Sequence, residues 1–312
     1  MTKVLISDRT HEVLPQRLRE VGFEVSVEPD HDYESLVQAA QGCEGLVVRS
    51  KVNIDRAFID RVPSLKCIGR VGAGMETIDV DYAEAHGVRC LNSPEGNRDA
   101  VGEHAVGLLL ALLNNIARAD AEVRRGLWQR EVNRGYELGP LTVGIIGFGN
   151  MGQAFAKRLS GFRCRIVVYD KYKELSDFKN LNVVKVLSEL QAEADIVSFH
   201  VPLTEETHHY LDAEFIDTMA KPFYLINTAR GAVVDTEALV AGLESGKVRG
   251  AALDVLEYEK MQADGLGDVP ECVHYLMRSP RTVLTPHVAG WTVESKYKLA
   301  AVLAEKMIEV LK

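Results

Sequence analysis

Short apolar runs alternate with amphipathic stretches along most of the chain. In the first ninety residues the runs at 4–6, 23–27, 45–48, 67–69 and 88–91 read as strands. The stretches at 14–20, 33–40, 56–61 and 81–86 carry helical spacing. A turn-rich break follows at 92–97, and then one long apolar helix is expected over about 100–119. Residues 120–140 are polar, with Trp128 and Tyr136 as isolated anchors. A second series then begins. Its strands are expected at 141–146, 165–169, 196–199, 224–227, 251–255 and 283–284, and its helices at 153–159, 187–192, 213–219 and 236–245. Residues 260–280, with Gly265, Gly267, Pro270 and Pro280, read as irregular, and a last helix is expected over 293–312. Repeated strand–helix alternation predicts an α/β fold with doubly wound parallel sheets, whose ligands bind beyond the carboxyl ends of the strands.

The start of the second series carries the clearest signal. Gly147-Phe148-Gly149-Asn150-Met151-Gly152 reads G-x-G-x-x-G between a strand and a helix, and Asp170 closes the next strand about twenty residues on. Gly147 permits the tight turn, Gly149 lets a pyrophosphate approach the backbone, and Gly152 allows close packing of helix and strand. The helix N-terminus offers unpaired N–H groups to the phosphates. Asp170 suits two ribose hydroxyls and repels a 2′-phosphate, which favours NAD over NADP. Asn150 and Met151 fall inside the cofactor turn.

Composition narrows the function class. The 312 residues suggest about two domains, with 46% hydrophobic and 26% charged residues, enough to fill two cores. A net charge of -9 argues against nucleic acid or an anionic membrane as partner. The five cysteines are scattered without a C-x-x-C pair, so neither a disulfide framework nor a metal site is expected. The N-terminus becomes charged too soon for a signal peptide, and no apolar run reaches membrane-spanning length. A cytoplasmic protein is the expectation.

Three expected strand ends of the second series carry groups suited to acid–base work. They are Arg230 in Asn227-Thr228-Ala229-Arg230-Gly231, the acids Glu257 and Glu259, and His287 in Thr285-Pro286-His287. Arginine clamps a carboxylate through two parallel hydrogen bonds. Histidine exchanges a proton with an alcohol near neutrality, and a carboxylate on its other nitrogen fixes the tautomer. Either acid is a candidate for that partner. His200-Val201-Pro202-Leu203-Thr204 reads as a rigid loop lining the cofactor pocket. His104 reads as a packed core histidine. His208 and His209 read as surface residues whose side chains point apart. In the first series, two loops stand at strand ends: Arg49-Ser50-Lys51 and Arg70-Val71-Gly72-Ala73-Gly74-Met75. Arg49 and Lys51, two apart at a strand end, are expected to lean to one side and to meet an anion.

These stretches, with Asn92-Ser93-Pro94-Glu95-Gly96-Asn97 and Leu253-Asp254-Val255, resemble in kind and order the D-isomer-specific 2-hydroxyacid dehydrogenases. The likeness is strongest to the D-3-phosphoglycerate dehydrogenase branch, in a short form without a regulatory domain. The resemblance implies two Rossmann-like domains. A flavodoxin-like substrate domain, residues 1–98 and 288–312, would enclose an inserted NAD-binding domain, residues 99–287. It implies Arg230 as the substrate-orienting arginine, Glu259 as the partner of the histidine and His287 as acid/base. Substrate contacts would come from Arg49, Ser50, Lys51, Val71, Gly72, Ala73, Gly74 and Asn97, besides Arg230 and His287. The cofactor would also meet His200, Val201, Pro202, Thr207, Thr228, Ala229, Arg230, His287 and Gly290, with Asp254 at the nicotinamide carboxamide. A homodimer through the long helix is implied too. Two departures stand out. Lys260 occupies the position where the family has proline after its glutamate, and Gly74-Met75-Glu76-Thr77-Ile78-Asp79 alters a family turn. Alternatives are a glyoxylate or hydroxypyruvate reductase and, in another class, a non-catalytic NAD sensor like the C-terminal-binding-protein corepressors.

Overall fold

The computed structural model describes residues 1–175, 182–259 and 268–312; Lys260, Gly265 and Gly267 lie outside the described residues. The chain divides into two compact units, Met1–Arg98 with Trp291–Lys312, and Asp99–Gly290. The second crossing thus falls at Gly290, not at the expected 287/288 boundary. The reason is local, because the backbone amides of Val288 and Ala289 donate to Asp254 and tie that segment to the second unit.

In the first unit the strands are β1 (Lys3–Ile6), β2 (Glu24–Val27), β3 (Gly45–Val48), β4 (Cys67–Arg70) and β5 (Arg89–Asn92). The helices between them are α1 (Val13–Glu20), α2 (Tyr33–Ala39), α3 (Arg56–Arg61) and α4 (Val80–Ala85). All pairings are parallel, in the order β2-β1-β3-β4-β5 of a flavodoxin-like sheet. β3 is buried along its whole length, so its continuous apolar run reflects burial on both faces. The chain-terminal helix, here α12 (Val293–Leu311), covers one of those faces: Leu303 and Met307 lie over Gly69 of β4, and Ala300 and Ala304 join the same core. That explains why a helix so far along the chain closes the first sheet. Lys306 and Glu95 fasten it to the single-turn helix Pro94–Gly96 through a 2.9 Å ion pair.

The second unit opens with α5 (Arg98–Leu113) and α6 (Ile116–Arg124). The sequence predicts one continuous helix over about 100–119. The chain breaks instead at Asn115, which takes a left-handed φ of 53°, and the two helices meet at 62°. Asparagine tolerates that conformation better than most residues, and hydrophobic periodicity gives no sign of it. The apolar residues of α5 are also used inside the unit, with Leu108, Leu109, Leu112 and Leu113 in its core. Among the described residues no single helix is long and apolar enough to cross a membrane.

The second sheet comprises β6 (Thr142–Ile146), β7 (Arg165–Tyr169), β8 (Asn182–Val183), β9 (Ile196–Phe199), β10 (Phe223–Asn227), β11 (Val248–Leu253) and β12 (Thr282–Leu284). Its helices are α7 (Asn150–Leu159), α8 (Leu187–Glu193), α9 (Ala213–Thr218), α10 (Thr236–Ser245) and α11 (Glu271–Arg278). The strands are parallel in the order β12-β11-β10-β9-β6-β7-β8, a Rossmann arrangement with one further strand. The expected α/β fold with two doubly wound parallel sheets is therefore what the chain adopts. One local expectation fails. Residues 271–278, read as irregular, form α11 behind Pro270, since Val273 and Leu276 bury one narrow face.

Candidate active site

The glycine turn stands between β6 and α7. Gly147 has φ 88°, and a Cβ there would meet the carbonyl oxygen of His200 at 2.6 Å. A Cβ on Gly152 would lie 2.2 Å from the carbonyl oxygen of Gly147, so helix and turn touch backbone to backbone. At Gly149 the same test finds nothing within 4 Å, and no side chain caps the helix it begins. The turn is thus closed on two sides and open on the side where a pyrophosphate would approach the helix N-terminus, Asn150 and Met151 included. Asp170 ends β7 and accepts from the amides of Phe148 at 2.7 Å, Tyr172 at 3.0 Å and Lys173 at 2.9 Å. Its carboxylate therefore welds the glycine turn to the next strand end.

Four further loops, after β9, β10, β11 and β12, leave the same end of the sheet. After β9, the imidazole of His200 hydrogen-bonds Ser198 Oγ at 2.8 Å and lies 5.2 Å from the Phe155 ring. Burial pushes its pKa down to about 3, so it stays neutral at physiological pH. Val201 and Pro202 lead into a loop that Thr207 cross-ties by donating to the Pro202 carbonyl at 2.6 Å and accepting from the Thr204 amide at 2.8 Å. After β10, the Thr228 hydroxyl is buried with no partner among the described residues, and Ala229 is buried beside it. An orphaned hydroxyl at a strand end of the same sheet edge fits a site that completes its bonding with a polar ligand such as a dinucleotide.

Arg230, Glu259 and His287 form the titratable set. His287 Nδ1 lies 2.7 Å from Glu259 Oε1, which leaves Nε2 for proton exchange. Glu259 Oε2 also accepts the Leu256 amide at 3.3 Å. Arg230 is half-buried, and one of its nitrogens donates to the Ala229 carbonyl at 2.7 Å. Gly231 brings this arginine loop against the glutamate loop, because a Cβ there would fall 2.1 Å from the backbone carbon and oxygen of Leu256. The other acid is committed elsewhere: Glu257 binds His209 Nε2 at 2.6 Å and accepts the Thr236 hydroxyl at 2.7 Å.

His208 and His209 do not point apart as expected. Their rings lie 4.0 Å apart at 32°, because His209 takes a left-handed φ of 52° and turns toward Glu257. β11 also stops at Leu253, two residues earlier than expected, so Asp254 is a loop residue. It is 1% exposed and accepts from the Thr285 hydroxyl at 2.6 Å and from the amides of Val288 and Ala289 at 2.9 Å. Burial raises its pKa, but these bonds together with His104 outweigh that and hold it below the ordinary carboxylate value. Whatever Asp254 offers a cofactor, it offers while holding the segment of His287, itself at φ 53°. Gly290 closes that segment.

The remaining candidates belong to the first unit. The loop after β4 is held by Asn92, whose side chain donates to the Ala73 carbonyl at 2.7 Å, and by the Ser93 amide on the Gly72 carbonyl at 2.9 Å. The Arg70 guanidinium fills the space where a Cβ of Gly72 would stand, while Val71 is buried and Gly74 partly exposed. Asn97 Oδ1 is buried without a partner among the described residues. Arg49, Ser50 and Lys51 follow β3 in a bend, so strand alternation does not govern them. Lys51 pairs with Asp30 at 2.7 Å, and the Arg49 guanidinium lies 5.4 Å above the Trp291 ring. These two cations are thus engaged with different partners, an acid and an aromatic ring. Sequence reasoning misses Trp291, whose only signal is a bulky aromatic directly after Ala289-Gly290.

The family described as "D-isomer specific 2-hydroxyacid dehydrogenase, NAD binding domain" matches residues 106–289. The chain is 36% identical over 314 residues to a D-3-phosphoglycerate dehydrogenase of Methanocaldococcus jannaschii, covering 100% of this chain and 58% of that protein. It is 38% identical over 286 residues to a glyoxylate reductase of Thermofilum pendens, covering 89% of this chain and 81% of that one. Among solved structures, a Thermus thermophilus protein matches with a TM-score of 0.83 and 33% identity, over 99% of this chain and 97% of that chain.

Proposed function

The chain belongs to the D-isomer-specific 2-hydroxyacid dehydrogenase family, and from that premise we propose that it interconverts a D-2-hydroxy acid and its 2-oxo acid with NAD. The observation that carries this reading is the 2.7 Å contact between His287 Nδ1 and Glu259, beside the arginine loop pinned at Gly231. In the oxidative direction His287 Nε2 accepts the proton of the substrate hydroxyl, and Glu259 stabilises the imidazolium that results. Arg230 binds the carboxylate through two parallel hydrogen bonds and orients C2. The Gly147–Gly152 turn and the N-terminus of α7 hold the pyrophosphate, Asp170 the adenosine ribose, and Thr228 a polar group of the dinucleotide. A bound nicotinamide would supply the hydride acceptor for C2 in oxidation and the hydride donor in reduction. The catalytic set favours this reading over a non-catalytic NAD sensor, although sensors of this fold can carry the same set, so turnover of a 2-oxo acid with NADH is what separates the two.

For the substrate we propose the pair 3-phosphoglycerate and 3-phosphohydroxypyruvate. The support is Arg49 and Lys51 among the proposed substrate residues, since a non-phosphorylated acid needs only the cation supplied by Arg230. The first unit would then be the substrate-binding domain and the second the NAD-binding domain. A second reading, a glyoxylate or hydroxypyruvate reductase, is favoured by one observation: Asp30 already neutralises Lys51. The chain spans 58% of the length of the phosphoglycerate dehydrogenase relative, and relatives of both activities are similarly identical. The experiment compares 3-phosphohydroxypyruvate with hydroxypyruvate in the wild type and in Lys51→Ala. A kcat/KM advantage for the phosphorylated acid that shrinks in Lys51→Ala is expected. No advantage, or one that survives the substitution intact, rejects the phosphate reading in favour of the smaller acid.

A further inference from the structure

His104 lies on α5, 181 residues from Thr285, yet its Nε2 stands 3.0 Å from the Thr285 hydroxyl. It also stands 3.5 Å from Asp254 Oδ1. The threonine has one proton to give, and the 2.6 Å bond to the Asp254 carboxylate uses it. His104 Nε2 must therefore carry a hydrogen and donate it to Thr285 Oγ1, which fixes the tautomer. The result is a directed chain from His104 through Thr285 to Asp254. Asp254 in turn accepts the amides of Val288 and Ala289, while its own carbonyl accepts the His287 amide at 2.7 Å. His287 thus sits in the centre of a segment whose backbone is held from both sides by Asp254. Its left-handed φ of 53° is uncommon for a residue other than glycine, and the bonds from Asp254 hold it there.

We propose that His104 is a positioning residue for His287, acting through Thr285 and Asp254. This rests on His287 being the acid/base of the reaction. Thr285 has two jobs in the chain. It follows β12 and sets where the segment turns, and it passes the donor of His104 on to the carboxylate. Without that donor the hydroxyl is held only by its own bond to Asp254, and the carboxylate loses the His104 N–H that stands 3.5 Å from its Oδ1. The histidine itself touches neither substrate nor the reacting nitrogen. Its effect is on how often His287 Nε2 points along the productive direction.

The test measures kcat per NADH-binding site, so that any loss of folded protein cancels. The variants are His104→Leu, His104→Gln, Thr285→Val and the double variant His104→Leu/Thr285→Val. A lost hydrogen bond of this type corresponds to about two- to tenfold. His104→Leu and Thr285→Val are each expected to lower kcat by that factor, with NADH affinity little changed. His104→Gln, whose side-chain amide donates from nearly the place of Nε2, is expected to recover most of it. The double variant is expected to be no worse than the poorer single one, because both cut the same chain. An unchanged kcat in His104→Leu overturns the proposal, and so does a His104→Gln as impaired as His104→Leu. Losses that multiply in the double variant overturn it too. His287→Ala is the control for the underlying reading. If it keeps most of the activity, the acid/base assignment falls; if it is inactive while His104→Leu is unaffected, only the positioning role falls.

Discussion

Gly231→Ala offers the sharpest test of how the arginine and glutamate loops are held together. The added methyl carbon would stand 2.1 Å from the Leu256 carbonyl carbon and oxygen and 2.5 Å from the Glu257 nitrogen, where ordinary contact begins at 3.4 Å. All three are backbone atoms, so no side chain can swing away. The two loops must separate by roughly 1 Å, and a misplacement of that size at a catalytic centre costs on the order of 100-fold in rate. Overpacking of this kind costs about 1–3 kcal/mol of stability, or about 2–12 °C in Tm for a unit of this size. The variant should therefore fold, bind NADH through the glycine turn, and turn over about 100-fold more slowly. NADH oxidation followed by its absorbance with the best 2-oxo acid, normalised to bound NADH, gives the rate; circular dichroism gives Tm. A normalised rate close to that of the wild type would show that the spacing of these loops does not govern Arg230, Glu259 and His287, and the reasoning would fail.

Asp170 should set cofactor choice: kcat/KM with NADH should exceed that with NADPH by at least about tenfold, because a carboxylate close to a 2′-phosphate repels it. Equal values would contradict that role. Glu259→Gln removes the charge that stabilises the imidazolium of His287, so the rate of 2-oxo acid reduction should fall by about 10- to 100-fold with NADH affinity little changed. Glu257→Gln should leave the rate in place, since its partners are His209 and Thr236; the reverse pattern would exchange the two roles. A homodimer is expected through the segment after α5, where Ile116, Val123, Leu127, Trp128, Val132 and Tyr136 are all exposed. Light scattering that returns the monomer mass at micromolar concentration rejects it, and Trp128→Glu should weaken the dimer if it forms.

Much of the architecture was legible in the order of residues because its causes are local. Buried parallel strands need continuous apolar runs, so both sheets could be read as alternating strands and helices, with bounds mostly close to the observed ones. The G-x-G-x-x-G turn is partly steric at short range, since Gly152 meets the Gly147 carbonyl within the turn, while the neighbour of Gly147 itself is the His200 carbonyl beyond β9. The clustering of Arg230, Glu259 and His287 at strand ends follows from the parallel topology, which brings every such end to one edge. What tertiary structure alone decided was the choice of partner. Glu257 and Glu259 are neighbours in the chain and chemically alike, yet one meets His209 and the other His287. Lys51 meets Asp30, Arg49 meets Trp291 from the far end of the chain, and His104 meets Thr285. The bend at Asn115 and the helix at Glu271–Arg278 likewise depend on which face finds a core. Periodicity records which residues are apolar at a given spacing. It carries no information about which polar side chains, brought together by the closing of a sheet, will come within hydrogen-bonding distance, and that distance decides the chemistry.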